Sequence, residues 1–62
     1  MIVKRYIGVR ECAEYLGIKV STVYSWVHLR NIPYIKMGRL VKFDILKLES
    51  WIKEKEIKTI NL

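Results

Sequence analysis

The sequence predicts a mainly α-helical domain with one small β-hairpin, on three observations. Apolar residues recur at helical spacing in three stretches: Val9, Cys12, Ala13 and Leu16, then Val23, Trp26 and Val27, then Ile45, Leu48, Trp51 and Ile52. Between the second and third stretches, from Tyr34 to Phe43, the apolar period drops to two around Gly38. Gly17 separates the first two stretches and leaves room only for a tight turn. The chain of 62 residues is read as one domain over 1–62, with no room for a second core.

In chain order, residues 1–7 form a lead-in whose apolar Ile2, Tyr6 and Ile7 are interrupted by Lys4 and Arg5; it is either a small edge strand or an arm over the core. Gly8 is an acceptable N-cap, and Glu11 three residues later can reach back to its N–H, so the first helix covers about 9–16. Arg10 and Glu14 are spaced to pair across one turn. Gly17 ends this helix in the left-handed conformation, and Ile18 plugs the corner. The second helix covers about 20–29. Its cap, Lys19, is poor, and Ser21 offers a competing start. Asn31 is the stop signal, and Pro33 cannot continue the helix.

The hairpin covers about 34–43. A three-residue loop, Met37-Gly38-Arg39, would set Ile35 opposite Val41 on the core side and leave Lys36, Arg39 and Lys42 facing solvent. Asp44 then caps a third helix over about 44–55, with Trp26 and Trp51 both expected in the core. Residues 56–62 lack a cap or pattern and read as a frayed tail. Met1 and the short tail suit a free-standing small protein.

An apolar fraction of 52% excludes disorder as the default. Cys12 is the only cysteine, so neither an internal disulfide nor a cysteine-based zinc cluster can form; a buried, unreactive thiol is expected. His28 is the only histidine and has no ligand-type neighbours at metal spacing, so no metal is expected. There is no nucleophile–base pair, phosphate-cradling glycine loop or convergent carboxylates, which argues against an enzyme and against a cofactor. No apolar run reaches the roughly 18 residues of a membrane span, and no signal peptide is visible. A cytoplasmic, nucleoid-associated protein is expected.

The placement of the net charge, +6, says more than its size. From Tyr15 to Phe43 there is no acidic residue, while Lys19, Arg30, Lys36, Arg39 and Lys42 contribute +5. The two ends are nearly balanced. A one-signed middle is the footprint of a polyanion-binding surface, the plainer alternative being a basic face kept for solubility. The second helix carries Ser21, Tyr24, Ser25 and His28 on one side, all hydrogen-bonding groups, and Val23, Trp26 and Val27 on the other. A helix with a dry back and short polar arms, after a glycine turn, suits the major groove of DNA; an ordinary amphipathic helix is the alternative. A basic hairpin beside a helix-turn-helix is a wing, so the fold class is winged helix-turn-helix.

The run of motifs Tyr15-Leu16-Gly17-Ile18, Ser21-Thr22-Val23-Tyr24, Ile32-Pro33 and Gly38-Arg39 before Val41-Lys42-Phe43-Asp44 resembles the excisionase-type, MerR-like winged helix-turn-helix family. The likeness spans about residues 7–52. It implies that Val20, Ser21, Thr22, Tyr24 and Ser25 touch DNA and that Lys36, Arg39 and Lys42 serve a wing on the backbone or minor groove. Two positions depart from the family pattern: Lys19 replaces the usual capping Ser, and Ser25 stands where a long base reader is frequent. With no Arg, Asn or Gln from Val20 to Leu29, bidentate base contacts are not available to this helix, and discrimination by one copy should be modest.

Lys19 completes the candidate set as a flanking cation. Tyr24 is read as a phosphate hydrogen-bonder ahead of a packing residue, and His28 as a phosphate contact. Arg30 is either a backbone contact or simply part of the helix end. The expected partner is double-stranded DNA, with self-association on DNA and a recombinase or another DNA-bound protein as further candidates. The role is that of an excisionase-like architectural factor or a small transcription regulator, the alternative being a protein-interaction module that recruits a recombinase.

Overall fold

The structure, a computed structural model, describes residues 4–57. Its elements are β1 (Tyr6–Ile7), α1 (Val9–Leu16), α2 (Val20–His28), β2 (Ile35–Met37), β3 (Leu40–Asp44) and α3 (Ile45–Lys55). The predicted order of three helices and a hairpin is found, and the lead-in is an edge strand. Glu56 and Ile57 follow the last helix in non-helical conformation, while residues 58–62 of the expected tail lie outside the described residues.

Local chemistry sets the helix ends. The Gly8 N–H donates to Glu11 Oε1 at 3.4 Å, and the Gly8 carbonyl accepts from the Cys12 N–H at 2.9 Å. Gly17, at φ 70°, closes α1: its N–H donates to the Glu14 carbonyl and that of Ile18 to the Ala13 carbonyl. This pair of reversed bonds is the Schellman motif. Lys19 is the N-cap of α2 although its side chain makes no capping bond; its carbonyl accepts from Thr22 and Val23, so Ser21 does not start the helix. The helix ends at His28, one residue before the expected end, and Leu29 is an exposed C-cap.

A second Schellman closure follows α2. The Arg30 N–H donates to the Val27 carbonyl at 3.1 Å and that of Asn31 to the Trp26 carbonyl at 2.8 Å. Arg30, not Asn31, takes the left-handed position, at φ 57°. It is the only non-glycine with positive φ among the described residues.

The strands form one antiparallel sheet in the order β1-β3-β2. Its register differs from the expected one. Met37 pairs with Leu40 across a two-residue turn, Gly38-Arg39, so Ile35 faces Lys42 and Lys36 faces Val41. Gly38 has φ 61° while Arg39 keeps negative φ, the pattern of a type II′ turn. Such a turn matches the twist of the flanking strands, which is why it wins over a three-residue loop. One residue of slip exchanges the faces. Tyr34 and Val41 pack against the core in place of Ile35, and Lys36 shares the Val41 side at the exposed end of the hairpin.

Asp44 ties the sheet to α3. Its Oδ1 accepts from the Leu46 N–H at 3.0 Å, the expected cap, and its two oxygens also take Arg5 Nε at 3.2 Å and Nη2 at 3.1 Å. The Arg5 carbonyl accepts from the Ile45 N–H at 2.8 Å. Hydrogen bonding to Arg5 holds the Asp44 carboxyl below the usual range despite its burial. Tyr15 hydrogen-bonds Glu49, joining α1 to α3, and this raises the Tyr15 pKa.

The core consists of Ile7, Cys12, Ala13, Val23, Ile32, Phe43 and Leu48, drawn from every layer. Trp26 and Trp51 pack against it from the margin, half-buried rather than enclosed, edge to face at 5.8 Å. They sit where α2 and α3 reach the surface, and Lys55 covers the outer face of Trp51 at 5.7 Å. Cys12 is buried, and desolvation pushes its thiol up to about 11, so it carries no thiolate at neutral pH.

Candidate nucleic-acid interface

The tight turn at Gly17 sets α2 against α1, and the packing of Val23 fixes the rotation of α2. Val23 is fully buried and Trp26 and Val27 are half-buried, whereas Ser21, Tyr24, Ser25 and His28 are exposed. The division of faces expected from the sequence is therefore present. Val20 is exposed at the first turn and Thr22 is half-buried beside the core. Cations stand at both ends: Lys19 at the cap and Arg30 just past the C-terminus. Neither α2 nor the hairpin up to Phe43 contains an acidic residue.

The hairpin packs against α1 through β3, and three of the predicted residues face one another across a cleft beside α2. Tyr24, Arg39 and Lys42 line one cleft of 370 Å³, together with Gly8, Arg10 and Glu11 from the start of α1. Arg39 occupies the second turn position. Lys42 is half-buried, not solvent-facing as expected, because the pairing of Phe43 with Ile7 brings the preceding residue of β3 level with Gly8. Its Nζ lies over Gly8, 3.9 Å from where a β-carbon would stand. Lys36 is exposed on the other side of the hairpin, and neither Lys36 nor Arg30 borders the cleft.

The spacing of Arg10 and Glu14 predicts an ion pair that the structure does not form. The described ion pairs are Lys4–Glu11 at 3.2 Å and Arg5–Asp44 at 3.1 Å. Glu14 lies on the other flank of α1, beside Tyr15 and Ile45, while Arg10 borders the cleft. Sequence reading missed Arg10 because a local pairing rule placed it; the one available signal was a cation just inside a helix start. Hydrogen bonds from Lys4 and from the Gly8 N–H hold the Glu11 carboxyl below its ordinary range. Among the described residues no three His, Cys, Asp or Glu side chains are placed to hold a metal ion. No helix among them is long and apolar enough to cross a membrane.

This arrangement brings hydrogen-bonding groups and positive charge from α1, α2 and the hairpin to one cleft. The sequence from residue 6 to residue 56 matches a family model described as a helix-turn-helix domain. The chain belongs to the helix-turn-helix domain family. The match covers every element of the fold, hairpin included. No curated protein and no solved structure matches the chain. Membership in this helix-turn-helix family supports DNA binding as the class of activity and double-stranded DNA as the partner.

Proposed function

We propose that this helix-turn-helix domain binds duplex DNA with α2 in the major groove and the β2–β3 hairpin as a wing on the adjoining backbone or minor groove. The observation that carries the reading is the meeting of Tyr24, from the exposed face of α2, with Arg39 and Lys42 of the hairpin in one acid-poor cleft. Ser21, Thr22, Tyr24, Ser25 and the exposed Val20 would approach base edges or the nearest phosphates. Lys19, His28, Arg30 and Lys36 would contact the backbone around them. Because α2 offers no bidentate base reader, phosphate contacts supply most of the affinity, and one copy discriminates modestly. Such a binder suits an excisionase-like architectural factor at a recombination site or a small MerR-like transcription regulator in the cytoplasm, with self-association or a neighbouring recombinase adding selectivity.

The test is the salt dependence of binding to a labelled duplex. Roughly four to six phosphate contacts give a slope of log K against log salt near −4 to −5. Arg39→Ala should make it shallower by about one unit, and Lys53→Ala, on the distant α3, should leave it alone. Equal slopes for the two variants, or heparin bound as well as duplex, would reduce the surface to a merely basic one.

A further inference from the structure

We infer that the cleft between the start of α1, Tyr24 and the hairpin turn is the seat of a single backbone phosphate, with Arg10 among its ligands. The inference rests on the DNA-binding reading above and adds to it a place, a stoichiometry and a residue from outside the recognition helix and the wing. Arg10, Arg39 and Lys42 border the cleft, and the Tyr24 side chain supplies a hydroxyl. Among the described residues none of these four side chains has a hydrogen-bond or ion-pair partner. The one carboxylate at the rim is already engaged, Glu11 Oε2 by Lys4 at 3.2 Å and Oε1 by the Gly8 N–H at 3.4 Å. Lys42 also attracts this carboxylate at longer range, and three cations against one acid leave the rim net positive.

Lys42 gives the site its direction. Its side chain is half-buried, yet its ammonium ends over Gly8 without a protein acceptor among the described residues. Gly8 presents no β-carbon there, and the first turn of α1, Val9 to Glu11, borders the same cleft. An oxyanion would therefore lie near the positive end of that helix as well as the cations. A phosphate accepts several hydrogen bonds at once and suits this mixture of guanidinium, ammonium and hydroxyl. The cleft is bounded by α2 on one side and by the hairpin turn on the other. A DNA strand passing from the groove to the wing would cross it, which identifies the anion as a diester of the backbone and not a free phosphate.

One shared phosphate makes a prediction that separate contacts do not. Arg10→Gln and Lys42→Gln should each weaken duplex binding about tenfold and make the salt slope shallower, while leaving thermal melting of the free protein near the parent. The double variant should lose no more than about 0.9 of slope in total, because only one phosphate is at stake; two independent contacts would lose about 1.8. Inorganic phosphate, titrated at constant ionic strength, should shift the amides from Gly8 to Glu11 weakly in the parent and not in Arg10→Gln. An unchanged slope in Arg10→Gln, with the parent binding duplex normally, would overturn the inference and leave the DNA-binding reading standing. So would additive losses near 1.8. A parent that held inorganic phosphate in the cleft but no duplex would overturn both.

Discussion

Arg30 stands in a backbone conformation that its side chain does not favour. At φ 57° it closes α2, a position glycine fills without strain. For a residue with a β-carbon, the left-handed region costs about 1–2 kcal/mol. Arg30→Gly removes that cost but gives the unfolded chain more freedom, which returns roughly 0.4–1 kcal/mol. The net gain should be about 0.5 kcal/mol, and in a domain this small that corresponds to a rise in Tm of about 2–4 °C. Arg30→Ala keeps the β-carbon and hence the strain, so it serves as the reference. Thermal melts followed by circular dichroism at neutral pH would compare the parent with the two variants. Duplex binding should fall alike in both, since both remove the proposed backbone contact. The domain would then be more stable and bind less well with glycine at 30, which is the expected trade where a strained residue is kept for its side chain. If Arg30→Gly melted no higher than Arg30→Ala, the left-handed backbone would carry no cost and the reasoning would fail.

Two further outcomes follow from the packing. Trp51→Ala removes a half-buried ring and its edge-to-face contact with Trp26, and should cost about 2–3 kcal/mol, seen as a large drop in the urea midpoint; a midpoint near the parent would place Trp51 outside the supporting structure. Asp44 and Glu11 have folded-state pKa values below their ordinary ones, held down chiefly by Arg5 and by Lys4 respectively. Their stabilisation is complete above the unfolded carboxyl range near pH 4 and is lost as pH falls through the lower folded values. Melting between about pH 2 and 6 should therefore fall steeply only on the acid side of that range, and Asp44→Asn should flatten the fall. A parent curve that was flat there would contradict the Arg5–Asp44 geometry.

The parts of this fold that could be read in advance are those fixed by residues close together in the chain. The stripe of α1, the Gly17 closure and the Asp44 cap each depend on partners within a few positions, and all three were legible. The hairpin was legible as a hairpin but not in its pairing. Met37-Gly38-Arg39 permits a loop of either two or three residues, and the choice decides whether Ile35 or Tyr34 reaches the core. Arg30 was hidden because Asn31, the better left-handed residue, stands next to it. The Arg5–Asp44 pair was out of reach for another reason, since 39 positions separate its partners. At the candidate interface, Tyr24 reads from the sequence as part of the recognition helix and Arg39 and Lys42 as part of the wing. That all three line one cleft depends on packing the sequence does not spell out, while the spacing of Arg10 and Glu14 yields no pair.

The bonds around Asp44 also bear on how the domain comes apart. Helix ends ordinarily fray one turn at a time, because their first amides have no partners within the helix. In α3 the first two amides are held from elsewhere: Ile45 by the Arg5 carbonyl and Leu46 by the Asp44 carboxylate, which Arg5 also grips. The beginning of the last helix is thus fastened to the beginning of the chain. Hydrogen exchange at Ile45 and Leu46 should report opening of the whole molecule instead of local unwinding. Cutting or crowding the segment around Arg5, 40 positions from α3 in the sequence, would act on that helix as directly as a change in its own first turn.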